Sequence, residues 1–462
     1  MRDVKIVVVG VGSASFGPAT LGDVLGRPEL SGSTLVLVDV DEGNLMLMAA
    51  LARQMNAAWG ARLKVQATTD RRRALRGADF VITMVEVNRD RLWQQDLLIP
   101  HKYGVMQVLG ENGGPGGLAH TLRTVPLVLE VAEDMERLCP EAWLLDYSNP
   151  VPRIARAVRR YTDIRCIGFC HGVGTTVGEV AAILGLPADE VDVKVAGLNH
   201  FHWVMDVRRK GSGEDLYPQL REREPQHRPA HDYPLCRDVF RRFGWFPFPS
   251  DDHVGEYLPY MHVPQFKSWR RYKHDHWLLH WDGKDDNRAA QWERVRAMTE
   301  GRESSDHLRD GSGERAVHAL LALRGNLDSY ELALNIPNEG CIDNLPAECI
   351  VEVPAWVSGS GPTGWRVGEL PLPVAALCST QVHVAELAVE AAVTGDRRVA
   401  LQALLVDPVI NDIEVAGKIL DELLAASRDY LPRFARQASG VRRRASGRQV
   451  AQCPSARAVP DA

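Results

Sequence analysis

Lys5-Ile-Val-Val-Val9, running into Gly10-Val-Gly12-Ser13-Ala-Ser-Phe16-Gly17, is the stretch on which the reading of this chain turns. A strand with one wet face alternates apolar and polar residues, so an unbroken apolar run predicts a parallel strand covered on both faces. The glycines after it permit a tight turn and a close backbone approach. A helical pattern over residues 18–26 then aims its N-terminus at that turn, the arrangement that receives a pyrophosphate. The spacing is G-x-G-x4-G rather than G-x-G-x-x-G, and an ordinary strand-to-helix turn reads the same way. The next apolar run, Thr34–Val38, ends in Asp39. An acid there accepts both ribose hydroxyls and repels a 2′-phosphate, which predicts NAD rather than NADP; Asp41 stands close enough to substitute.

Outward from this pair the rhythm continues. A helix over 43–60, a strand at Lys64–Thr68 and a strand over 80–85 give β-α-β-α-β across about 85 residues. Further strands are predicted over 142–146, 166–170 and 193–196, with a helix from Leu118. The fold class is α/β: a doubly wound Rossmann sheet of the lactate/malate dehydrogenase type, with a second α+β domain. The boundaries are 1–200 for NAD binding and 201–436 for substrate binding, catalysis and oligomerisation. From 437 to 462 the chain is rich in Arg, Ser and Ala with few large apolar groups, which predicts a disordered tail.

Composition narrows the function classes. Charged residues are 25%, hydrophobic ones 45%, and the net charge is -6, which suits a globular enzyme and argues against nucleic-acid binding. No uninterrupted apolar run approaches the roughly 18–20 residues of a membrane span, and no signal-peptide core is present, so a cytoplasmic protein without membrane contact is expected. Eight cysteines lack CxxC spacing, and a disulfide framework is not expected.

Several polar groups fall at predicted strand ends, where ligands of such sheets bind. They include Asn88-Arg89, the glycine-rich loop beginning Glu111-Asn112, Ser148-Asn149-Pro150, Cys170-His171 and Asn199-His200. A thiol and an imidazole one strand apart allow two chemistries: a Cys/His acyl-transfer site, or two ligands for a divalent metal completed by substrate and water. A loop at 249–257 carries Asp251, Asp252, His253 and Glu256 and also reads as a solvated acidic turn.

Gly10-x-Gly12-Ser13, Phe16, Asp39, Asn88-Arg89, Gly114-Pro-Gly-Gly117, Ser148-Asn149-Pro150, Cys170-His171 and Gly197-Leu-Asn-His-Phe201 occur in the order and spacing that resemble glycoside hydrolase family 4. The similarity runs from residue 4 to about 430. That family is an NAD-dependent exception to glycosidases with two carboxylates. The resemblance implies NAD+ taking a hydride from C3 of the sugar, a base removing the C2 proton beside a divalent metal (usually Mn2+), elimination at C1, water addition and return of the hydride. It also implies cofactor contacts from Gly10, Gly12, Ser13, Phe16, Asp39 and Asn88. Cys170 and His200 match the metal ligands, and Arg89, Glu111, Asn112, Asn149 and His171 face the sugar. His171 matches the position of the acid, Asp251 or else Asp252 that of the base. The tetrapeptide Cys170-His171-Gly172-Val173 is similar to the uronidase branch and implies an α-galacturonidase, with α-glucuronidase or neutral α-glucosidase and α-galactosidase as alternatives. A C6 carboxylate needs a cation, for which Arg89, Arg270 and Arg271 are candidates. A homodimer or homotetramer is implied too. A lactate/malate-type dehydrogenase and a non-catalytic NAD sensor are the competing classes.

Overall fold

The computed structural model describes residues 3–228, 232–282, 286–325 and 327–438. Twelve strands form one sheet: Lys5–Val9 (β1), Thr34–Val38 (β2), Lys64–Thr68 (β3), Phe80–Thr83 (β4), Trp143–Asp146 (β5), Arg165–Gly168 (β6), Val191–Leu198 (β7), Phe201–Arg209 (β8), Phe246–Phe248 (β9), Ser329–Pro337 (β10), Ile350–Ser358 (β11) and Gly361–Gly364 (β12). Their order is β3-β2-β1-β4-β5-β6-β10-β11-β7-β8-β9, with β12 on β11. The first six are parallel, in the strand order of the doubly wound dinucleotide fold.

The apolar run of β1 divides between the two faces. Ile6 and Val8 pack with Leu35, Leu37 and Ile82, while Val7 and Val9 pack with Val36, Val38 and Val81. Each such burial contributes about 1.5–3 kcal/mol, which is why no polar residue interrupts the run.

The sheet does not stop at residue 200. β10 lies antiparallel against β6 at Asn335 and Gly168. A Cβ on Gly168 would stand 2.3 Å from Val151 Cγ1 and 3.0 Å from Asn335 Cβ, so the bare backbone is what lets β10 approach. β7 pairs with β8 and β11, not with β6. A two-residue turn, Asn199-His200, joins β7 to β8, with His200 left-handed at φ 62°. Two elements differ from the sequence reading. The stretch expected as a loop forms the helix Asp251–Gly255, and the long helix expected from Leu118 begins at Gly114.

Among the described residues one helix, Leu372–Thr394, is long and apolar enough to cross a membrane by length and composition. Here it packs against the helices Gly114–Leu138 and Arg397–Val406 and buries Val374, Cys378, Val382 and Val389. Of the expected tail, residues 437–438 complete the helix Pro432–Ala438, and 439–462 lie outside the described residues.

Candidate active site

A cleft of about 970 Å³ opens at the carboxyl ends of the parallel strands and runs from the β1 turn to the β7–β8 turn. At its outer end Gly10 has φ 90°, and a Cβ there would stand 2.6 Å from the Met84 carbonyl oxygen. The Gly12 N–H donates to Asp39 Oδ2 at 2.7 Å, and the Asp41 N–H to Asp39 Oδ1 at 3.0 Å. Asp39 is thereby fixed at the end of β2. Asp41 is not its equivalent, because its carboxylate caps the helix Glu42–Trp59 by accepting from the Asn44 N–H at 2.9 Å. Ser13, Phe16 and Asn88 line the same end.

The inner end gathers the reactive groups. Cys170 follows β6, His171 stands at the start of the helix Gly172–Leu184, Asn149 follows β5, and His200 enters from the hairpin turn; all line the cleft. Burial, with the nearby Glu314 and Glu352 carboxylates, pushes the Cys170 thiol well above its ordinary range. Glu352 is itself buried and anchored by His202 Nδ1 (2.7 Å) and by the Asn199 and Asn335 amides (2.9 and 3.1 Å). Burial, reinforced by the neighbouring His253, drives His200 down to about 3, so its ring is neutral and free to ligate. Among the described residues no three His, Cys, Asp or Glu side chains converge as a metal cage. A cation held by Cys170 and His200 would have positions left open for substrate and water.

Two imidazoles in the cleft each carry a carboxylate. His171 Nδ1 is 2.7 Å from Glu314 Oε1, and that bond raises the His171 pKa. His253 Nδ1 is 2.9 Å from Asp252 Oδ1 and 2.7 Å from Ser250 Oγ. Burial pulls the His253 pKa down, but the bond and charge of Asp252 outweigh it and hold it above the usual value. The His253 and His200 rings are 4.1 Å apart.

Neither aspartate expected as the base lines the cleft. Asp251 is turned away from the cleft: its two oxygens accept the Leu235 and Cys236 N–H groups at 2.8 Å each, capping the helix Pro234–Phe243. Asp252 does not line the cleft either, its oxygen being bound to Ser250 and His253, so its effect reaches the cleft through the His253 ring. Asn112 points to His200 Nδ1 (2.8 Å) and to Asn149 Oδ1 (3.3 Å) rather than into the main cleft. Glu111 remains in the cleft, between Arg89 (2.5 Å) and the Asn149 amide (3.2 Å).

The sequence reading did not single out Glu314, and it noted His253 and Glu256 in the 249–257 loop without giving either a part in the cleft. Glu314 follows Gly311-Ser312-Gly313, and no local pattern links that segment to a strand end more than a hundred residues away. His253 offered a signal, since it lies next to two acids.

Arginine pairing bears on substrate charge. Among the described residues every arginine lining the cleft has a carboxylate partner: Arg71 and Arg72 with Asp134 (2.8 and 3.1 Å), Arg89 with Glu86 and Glu111 (3.0 and 2.5 Å), and Arg288 with Asp90 (2.6 Å). Arg270 and Arg271, on the helix Lys267–Tyr272, do not line the cleft, and Arg271 pairs with Asp238.

A dinucleotide-type turn over a doubly wound sheet, opening into a cleft that ends in a thiol and three imidazoles, defines a Rossmann-type enzyme whose chemistry sits at the strand ends. Residues 5–186 match the family 4 glycosyl hydrolase model and residues 195–410 that of the family 4 glycosyl hydrolase C-terminal domain. The chain belongs to the family 4 glycosyl hydrolases. It is 33% identical to an α-glucosidase of Erwinia rhapontici over 92% of this chain and 98% of that one. It is 28% identical to an α-galacturonidase of Thermoanaerobacterium saccharolyticum, over 93% and 97% of the two chains. The crystal structure of a 6-phospho-α-glucosidase from gut microorganisms in complex with NAD and Mn2+ shares the fold at TM-score 0.79 and 24% identity, covering 93% of this chain and 99% of that one.

Proposed function

We propose that this glycosidase cleaves an α-linked, unphosphorylated sugar with NAD+ and a divalent metal, Mn2+ in the first instance. One observation carries the reading: a single cleft joins the Gly10–Asp39 turn to Cys170 and His200. The complex of the 6-phospho-α-glucosidase with NAD and Mn2+ supports it. The residues fit both groups. Asp39 is held by backbone N–H donors where ribose hydroxyls arrive, and Cys170 stands in a negative potential that a cation relieves. When bound, NAD+ exchanges a hydride with C3 of the sugar and the cation acidifies the C2 position.

The chain's own residues supply the rest. Cys170 Sγ and His200 hold the cation, and Glu111 and Asn149 orient sugar hydroxyls. The His253 ring, backed by Asp252, accepts the C2 proton in place of the expected aspartate. His171, backed by Glu314, hands a proton to the leaving oxygen. Asp39→Ala is expected to weaken NAD+ binding about 10–100-fold, the loss of charge-assisted bonds to two hydroxyls, and to relax discrimination against NADP+. Fluorescence titration of both nucleotides checks this.

The substrate reading has two forms. The tetrapeptide Cys170–Val173 and the α-galacturonidase relative support an α-galacturonide. The full pairing of the cleft arginines supports a neutral α-hexoside instead, since a C6 carboxylate has to displace Glu86 or Glu111 from Arg89. A panel of p-nitrophenyl α-glycosides with NAD+, Mn2+ and a reductant separates them. Hydrolysis of the galacturonide alone is expected on the first form, and of glucoside or galactoside on the second. Activity confined to 6-phosphorylated sugars would sink both.

A further inference from the structure

We infer that Glu256 and Asn112 are positioning residues for His200, keeping the ring proton on Nδ1 so that Nε2 offers its lone pair to the cleft. The inference rests on His200 being a cation ligand. Glu256 is fully buried, and its two carboxylate oxygens have different surroundings. Oε1 accepts the N–H groups of Glu111, Asn112 and Gly113 at 2.6, 3.0 and 3.3 Å. A Cβ on Gly113 would stand 2.5 Å from the Glu256 carbonyl oxygen, so loop and glutamate are locked together. Oε2 has no hydrogen-bond partner among the described residues, is buried, and lies 3.8 Å from His200 Nδ1.

Asn112 approaches the same nitrogen. Its Nδ2 is placed 2.8 Å from His200 Nδ1 and 3.3 Å from Asn149 Oδ1, while its Oδ1 is buried without a partner among the described residues. Nitrogen and oxygen of an amide exchange by a half turn about its last bond. In the orientation as placed, Nδ1 is an acceptor that faces a carboxylate oxygen, and two buried oxygens go unpaired. After the half turn, Nδ1–H donates to Asn112 Oδ1 with Glu256 Oε2 behind it, and Asn112 gives up its 3.3 Å bond to Asn149 Oδ1 in exchange. A metal-ligating histidine whose second nitrogen donates to a carboxylate or amide oxygen is fixed in tautomer and in ring orientation.

Glu256→Gln makes the test sharp. The glutamine keeps one oxygen for the three loop N–H donors but turns an N–H toward Nδ1, driving the proton to Nε2. Mn2+ is titrated calorimetrically into the NAD+-loaded full chain, wild type and variant. The expected result is a fall in Mn2+ affinity of about 10–100-fold with NAD+ affinity unchanged. A variant that binds Mn2+ within about twofold of the wild type overturns the inference. A wild type that binds no Mn2+ overturns the ligand reading of His200 itself, and so is told apart. If the variant does not fold, NMR of the metal-free wild type labelled with 15N-histidine decides. The His200 signals, assigned by their loss in His200→Asn, are expected to show Nδ1–H, and Nε2–H overturns the inference.

Discussion

Cys170→Ser is expected to lower kcat/KM by at least about 10³-fold while leaving NAD+ affinity within about twofold of the wild type. The thiol lies at the inner end of the cleft, beyond the Gly10–Asp39 turn proposed to receive the nucleotide, so the two effects separate. Serine keeps the shape of the site, but a hydroxyl is a far weaker ligand for a borderline cation than a thiolate. The geometry explains why this cysteine and not another carries the effect. Among the described residues Cys139, Cys236, Cys341, Cys349 and Cys378 are buried and Cys166 packs against the core without lining the cleft, whereas Cys170 opens to it. Burial and the two glutamates oppose its ionisation in the free protein, so metal uptake has to release the proton. Equilibrium titration of Mn2+ and NAD+ against the variant checks both halves. Parallel loss of NAD+ binding would mean that Cys170 acts on the fold and not as a ligand.

The second large effect is a dependence on the leaving group. His171→Asn is expected to reduce turnover of an alkyl α-glycoside by about 10²–10⁴-fold and that of a nitrophenyl α-glycoside far less. A nitrophenolate departs without a proton, whereas an alkoxide needs one. The bond from His171 Nδ1 to Glu314 favours the protonated ring and leaves Nε2–H for the departing oxygen. Equal losses with both substrates would remove His171 from the acid role and leave it a binding contact. The same comparison on Glu314→Gln should give a smaller loss with the same dependence.

What was legible in the sequence is what local chemistry encodes. The β1 run and its glycines announced a covered parallel strand and a turn, because burial on both faces and a positive φ each leave a residue-level mark. Asp39 was legible because an acid at a strand end follows a pattern of its own. Arg89, Asn149, Cys170 and His200 could be placed above the sheet from strand ends alone. The rest depended on packing between distant segments. Asp251 and His253 differ by two positions, yet in a short helix that spacing points one to the helix Pro234–Phe243 and the other to the cleft. A loop reading has no such direction, and so the aspartate looked as available as the histidine. The antiparallel insertion of β10 and β11 between β6 and β7 is set by the close approach at Gly168, which only the assembled sheet shows. Glu314 reaches the site from a distant segment and carries no local signature, whereas Glu256 lies in the 249–257 stretch but its contact with the Glu111–Gly113 loop shows only in the fold. The arginine pairing that bears on substrate charge is of the same kind.

Hydrolysis in deuterated water tests the central claim most directly, that the bond is broken by transient oxidation and proton removal at C2. With the preferred α-glycoside, NAD+ and Mn2+, the sugar released is expected to carry deuterium at C2, with no build-up of NADH. A product that keeps protium at C2, or NADH formed in step with sugar release, would contradict the account.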